Sequence, residues 1–147
     1  MTVKPEMIAR RDAAQATLDR FMGVDFVWGK ADCVRLAAFN LRQLGYKPRL
    51  SKGGAYSSFR GAVKALNLAG FSDLVEAVDA QGLPQIAPSQ AVVGDLIALP
   101  GEEGWPALTV CLGNGRVVGW KADRPDCGVM QPLTPILAWR ARPCLTP

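Results

Sequence analysis

The chain contains no histidine among its 147 residues. That absence removes the side chain most often used as a general base near neutral pH, and with it the nitrogen ligands of a mixed zinc site. Long apolar runs are missing as well. No stretch reaches the roughly 20 apolar residues that a membrane-spanning helix needs, and the polar, mixed-charge start from Met1 to Arg11 lacks the apolar core of a signal peptide. The chain therefore reads as one made in the cytosol, with no membrane span. Cysteine is sparse. The four residues Cys33, Cys111, Cys127 and Cys144 include no C-x-x-C pair, so neither a disulfide framework nor a metal or other cofactor is expected. A four-cysteine zinc or iron–sulfur site converging from distant segments is the alternative left open. Lysine and arginine give a net charge of +4, yet they form no run of four and do not interleave with aromatics, which argues against a nucleic-acid partner.

What is present fits one compact domain spanning 1–147. At 49% hydrophobic and 20% charged, the chain is long enough for a sizeable core and too short to favour two domains. Its first part has helical periodicity. Pro5 to Met22 reads as an amphipathic helix with Met7, Ala14, Leu18, Phe21 and Met22 on one side, ended by Gly23. A second helix runs from Asp32 to Gly45, a third starts from Ser57 or Ser58 and closes near Gly70, and a short fourth covers Ser72 to Ala80 with Ser72 as its cap. Lys52-Gly53-Gly54-Ala55-Tyr56 reads as a surface loop, and Gln81 to Gln90, with Pro84 and Pro88, as a connector. From Val92 the pattern shortens to strands at Asp95–Leu99, Ala107–Leu112, Arg116–Trp120 and Ile136–Ala141, the middle two joined by Gly113-Asn114-Gly115. The expected fold class is α+β, with N-terminal helices packed on a small antiparallel sheet.

The stretch Trp28-Gly29-Lys30-Ala31-Asp32-Cys33 is chemically the most pointed. Val34, Ala37, Leu41 and Leu44 follow at helical spacing, so Asp32 is the expected N-cap and Cys33 falls in the first turn. A cysteine there sits among unpaired main-chain N–H groups at the positive end of the helix dipole, which favours the nucleophilic thiolate. The competing reading is a small buried apolar residue that packs the helix against its neighbour.

Four motifs in order carry a resemblance: Trp28-Gly29-x-x-Asp32-Cys33, Gly54-x-Tyr56, Gly94-Asp95 with Val110-Cys111-Leu112-Gly113-Asn114-Gly115 after it, and Ala138-Trp139-Arg140 near the end. Over about residues 25 to 141 the chain resembles the NlpC/P60 cysteine peptidases, a papain-like fold, and in particular the small NlpC/P60-like proteins of phage and prophage tails. The resemblance implies Cys33 at the nucleophile position and Asp32 at the position that recognises the amino group of a peptidoglycan stem peptide. It places the family's histidine base on Ala107, and the polar residue that orients this base near Val118 to Trp120.

A cysteine–histidine mechanism needs a base within hydrogen-bond reach of the thiol, both to take its proton and to protonate the leaving amine. Asp32, Asp95 and Lys121 are the available substitutes. Two readings follow from the resemblance. One is a catalytically inactive tail-tip or tail-assembly component, made in the bacterial cytoplasm and either built into the virion tail or acting only during its assembly, whose partners are other phage tail proteins. The other is a cell-wall peptidase or amidase that works through Cys33 on peptidoglycan stem peptides with an unusual or partner-supplied base. The missing histidine favours the first.

Overall fold

The structure, a computed structural model, describes residues 4–50, 56–101, 105–121 and 123–144. Among these, the chain runs through α1 (Glu6–Phe21), α2 (Cys33–Gln43), α3 (Phe59–Leu68) and α4 (Leu74–Asp79) before entering the sheet. The strands are β1 (Gln85–Ile86), β2 (Leu96–Leu99), β3 (Ala107–Gly113), β4 (Arg116–Gly119), β5 (Gly128–Met130) and β6 (Leu137–Trp139). They form one sheet of six strands in the order β1-β6-β2-β3-β4-β5, every neighbouring pair antiparallel. The fold class is thus α+β, with helices preceding an antiparallel sheet.

Strand alternation divides the sheet into two faces. Leu96, Ala98, Leu108, Val110, Val118 and Trp139 join the main core together with Leu36, Ala37 and Leu41 of α2 and Ala13 and Ala14 of α1. On the other face Ile97, Cys111, Val117 and Ala138 make a smaller cluster. Leu36 and Leu41 are wholly buried, and removal of each from water is worth roughly 1.5–3 kcal/mol. That burial fixes α2 against β3, the strand that begins at Ala107.

Several boundaries differ from the sequence pattern. The buried side of α1 is Arg10, Ala13, Ala14, Thr17 and Phe21, whereas Met7 and Met22, expected inside, are exposed. The cap of α4 is Asp73, whose carboxylate accepts from the Glu76 main-chain N–H at 2.7 Å, not Ser72. Ser72 instead bonds the Glu76 side chain from outside the helix. The connector expected over 81–90 contains β1, an edge strand paired with β6, and a 3-10 turn at Pro88–Gln90. β5 was not foreseen either. The missed strands are two and three residues long and, unlike β6, have no longer run of apolar residues around them to mark the segment.

The β3–β4 turn follows the expected logic: Asn114 has φ 55° and Gly115 φ 75°, the left-handed conformations that asparagine and glycine tolerate. At the end of α2, Gly45 takes φ 97° while the Tyr46 N–H donates to Leu41 O at 2.9 Å, a glycine-capped helix end. The Lys52-to-Ala55 part of the expected loop lies outside the described residues.

Candidate functional site

Cys33 is the first residue of α2, and its cap is built as the spacing implies. Asp32 is extended (φ −134°, ψ 175°) and its Oδ1 accepts from the Arg35 N–H at 3.0 Å. The expected activation does not follow. Burial pushes the Cys33 thiol up from its ordinary 9.0 to about 11, and the negative Asp32 beside it acts in the same direction. Main-chain hydrogen bonds from Leu108, Cys33 and Val34 oppose this and are outweighed. The helix terminus is real, but desolvation of the charged form wins.

The Leu108 contact fixes the geometry around the sulfur. Leu108 is the second residue of β3, so the start of this strand, where Ala107 holds the expected base position, comes up against Cys33. Both residues line a cleft of about 570 Å³ whose other walls include Phe26, Trp28, Phe59, Trp105 and Trp120. Trp105 is half-buried in that wall. Apart from Cys33, the ionisable groups among the described lining residues are Lys121 and Arg124.

Asp32 does not line this cleft. It is 1% exposed, and its carboxylate is taken up internally by the Gly29 N–H at 2.9 Å, the Arg35 N–H, the Arg35 guanidinium at 3.2 Å and the Tyr56 hydroxyl at 2.8 Å. Tyr56 Oη is itself 2.7 Å from Arg35 Nη1. Burial and the Asp32 charge drive the Tyr56 hydroxyl well above its ordinary 10.0, so it stays a donor to Asp32. Glycine is required at position 29: it has φ 80°, and a Cβ there would lie 1.9 Å from Tyr56 O. Trp28-Gly29-x-x-Asp32-Cys33 and Tyr56 therefore form one local assembly that closes the start of α2.

Gly94-Asp95 has a different task. Asp95 is wholly buried. Oδ1 is 2.8 Å from Arg10 Nη1 and accepts from the Ala141 N–H at 2.8 Å, while Oδ2 accepts from the Val92 N–H at 3.0 Å and lies 3.1 Å from Arg140 Nε. Asn40 of α2 donates to Gly94 O at 2.9 Å. One carboxylate thus ties α1 and the C-terminal strand to the approach of β2. Of the three substitute bases, only Lys121 faces the cleft; Asp32 and Asp95 are consumed inside the fold.

Arg10 was missed on the sequence because a charged residue in an amphipathic helix is ordinarily placed on the solvent side. Its signal was available in the spacing Arg10, Ala13, Ala14, Thr17, Phe21, which is that of one helical face. The cysteines do not gather: all four are free, and among the described residues no three His, Cys, Asp or Glu side chains come together as metal ligands. Burial also raises Cys111, and it pushes Cys127 up to about 12.

A family model described as a domain of unknown function, DUF6950, matches residues 7–141. The chain belongs to the DUF6950 family. The match takes in α1 as well as the sheet, so the Arg10–Asp95 pair and the Cys33 cleft both lie within the DUF6950 domain. A comparison with curated proteins gives no match. No described helix is long and apolar enough to cross a membrane.

Proposed function

We propose that this chain is a phage or prophage tail component, at the tail tip or in tail assembly, that uses an NlpC/P60-like, papain-like domain as a binding module and not as a peptidase. The observation that carries the reading is the pairing of Cys33 with Ala107 on one cleft. The nucleophile position keeps its thiol at a helix start, while the expected base position on the same cleft carries a methyl group that can neither take nor return a proton. A positioned acid–base group is worth typically about 10²- to 10⁴-fold in rate, and the raised thiol forfeits further reactivity. What persists is an aromatic-walled cleft on a helix–sheet scaffold, which suits recognition.

The reading has two tests. The purified chain is incubated with peptidoglycan stem peptides; no cleavage is expected, and turnover that disappears in Cys33→Ala would falsify the inactive assignment. Tail particles from a strain producing the protein are then probed with an antibody against it. Detection in tails or tail intermediates is expected, and its absence from both rejects the tail role. Lys121 on the cleft wall supports the second reading, a cysteine hydrolase with a lysine base. Its distinguishing result is stem-peptide cleavage lost in Lys121→Met.

A further inference from the structure

The five rings of the cleft touch one another in series. Trp120 and Phe26 have centroids 5.4 Å apart, Phe26 and Trp28 4.7 Å, Trp28 and Phe59 5.8 Å, and Phe59 and Trp105 5.7 Å. Three of these contacts are edge-to-face, an arrangement that holds aromatic rings in place without a ligand. The volume of this half-open cleft, about 570 Å³, lies within the roughly 300–1,000 Å³ of sites that bury a ligand side chain or small molecule. At the rim stands Leu133, 93% exposed.

The charges described on the cleft wall are basic; Glu102 and Glu103, between the lining residues Gly101 and Trp105, lie outside the described residues. No described lining residue is acidic; the charged ones are Lys121 and Arg124. Arg124 is held by Asp126 at 2.9 Å. Lys121 meets Asp123 only at 3.8 Å, both side chains well exposed, a contact worth little in water. Beyond Phe59 the surface continues along the outer side of α3, where Arg60 and Lys64 flank Val63 and Leu68. Among the described residues neither of these cations belongs to an ion pair. Leu68 is 75% exposed.

We propose that the cleft and the adjoining α3 face dock an extended acidic segment of a partner protein, which seats a bulky apolar side chain among the five rings and lays its carboxylates on Lys121, Arg60 and Lys64. The proposal rests on the binding-module reading above and names the partner's chemistry. A second copy docking through the same face would set cations against cations. A sugar would find no Asp, Asn, Glu or Gln among the described lining residues to take its hydroxyls. An anionic membrane offers charge but no side chain for a concave pocket.

The full chain is titrated with three blocked hexapeptides, of alternating glutamate–leucine, lysine–leucine and glutamate–serine, and with vesicles containing anionic lipid. Tryptophan fluorescence is the readout, since Trp28, Trp105 and Trp120 line the cleft. Saturable binding of the glutamate–leucine peptide alone is expected. Lys121→Glu and Leu133→Ser, both at exposed positions, should each weaken it about three- to tenfold while leaving the thermal midpoint in place. Lys121→Glu should also reduce its salt dependence. Equal binding of either control peptide, binding to vesicles only, no saturable binding, or an isotherm that both substitutions leave intact overturns the proposal. Hydrolysis of stem peptides is scored in a separate assay, so loss of the docking isotherm rejects this partner whatever that assay gives.

Discussion

A thiol pushed up to about 11 is ionised at pH 7 on the order of once in ten thousand molecules, some hundredfold less than an ordinary cysteine. The alkylation rate of Cys33 with iodoacetamide should therefore stay low through neutral pH and climb only toward pH 11. A midpoint below the ordinary 9.0 would mean that the helix terminus outweighs burial after all. Ala107→His tests the neighbouring position. A new imidazole must be held about 2.6–3.2 Å from the sulfur and fixed in one tautomer by a further acceptor. Val118 and Gly119 offer no side-chain acceptor, and the nearby Thr109 hydroxyl already donates to Ile97 O at 2.8 Å. The expected result is faster alkylation with no stem-peptide turnover; cleavage at about 1 per second, typical of working enzymes, would show a site complete but for one residue.

The start of α2 depends on a single carboxylate with four donors, and its removal should be felt well beyond a lost cap. Asp32→Ala forfeits the cap, about 1 kcal/mol, and strands the Gly29 N–H, the Tyr56 hydroxyl and part of the Arg35 guanidinium. A buried donor left unsatisfied costs about 1–3 kcal/mol. Urea unfolding should show a loss of roughly 3–5 kcal/mol, and a loss near 1 kcal/mol would reduce Asp32 to an ordinary cap. Gly29→Ala should match it in severity, because its Cβ meets Tyr56 O and its φ is left-handed. Much of this element was legible in the sequence: the cap, the first-turn cysteine and the Gly45 stop are local rules written in adjacent residues. Four of the six strands were legible for the same reason: β2, β4 and β6 fall inside the segments that alternation marked, and β3 overruns its segment by one residue, Gly113. Tyr56 closing on Asp32 across 24 positions was not legible, because nothing local specifies such a contact and the resemblance marks Tyr56 only as a motif residue. Illegible in principle was the ionisation of Cys33, a consequence of what other segments stack over it.

Across the whole molecule, the pieces are joined by buried polar groups whose pairing no local pattern announces. Arg10 and Asp95 are both wholly buried and 2.8 Å apart, with Arg140 and two main-chain N–H groups completing the carboxylate. Asp95→Ala leaves Arg10 charged in the core, and breaking a buried pair in this way costs about 3–5 kcal/mol; a cost under about 1 kcal/mol, typical of a surface pair, would deny it that role. Thiols held neutral by desolvation, Cys33 half-buried on the cleft wall and Cys111 and Cys127 buried, set a second global property, the response to alkali. An unfolded cysteine ionises near its ordinary 9.0, whereas the folded chain holds Cys33 to about 11 and Cys127 to about 12. Cys111 moves in the same direction. Above pH 9 the unfolded state releases protons that the folded state retains, so rising pH favours unfolding. The thiol contribution is complete below pH 9 and is lost progressively as pH climbs through 11 and 12. Tyr56 and Tyr46, both raised from 10.0, add the same sign from pH 10 upward. Unfolding free energy measured under reducing conditions should therefore be flat from about pH 7 to about pH 9 and then fall, steepening as more groups enter. In Cys33→Ala/Cys127→Ala the absolute stability drops through lost packing, but the alkaline slope should shrink by up to two protons' worth. If the slope survives that double substitution unchanged, the thiols are not held neutral by burial, and the same result would reopen Cys33 as a reactive group.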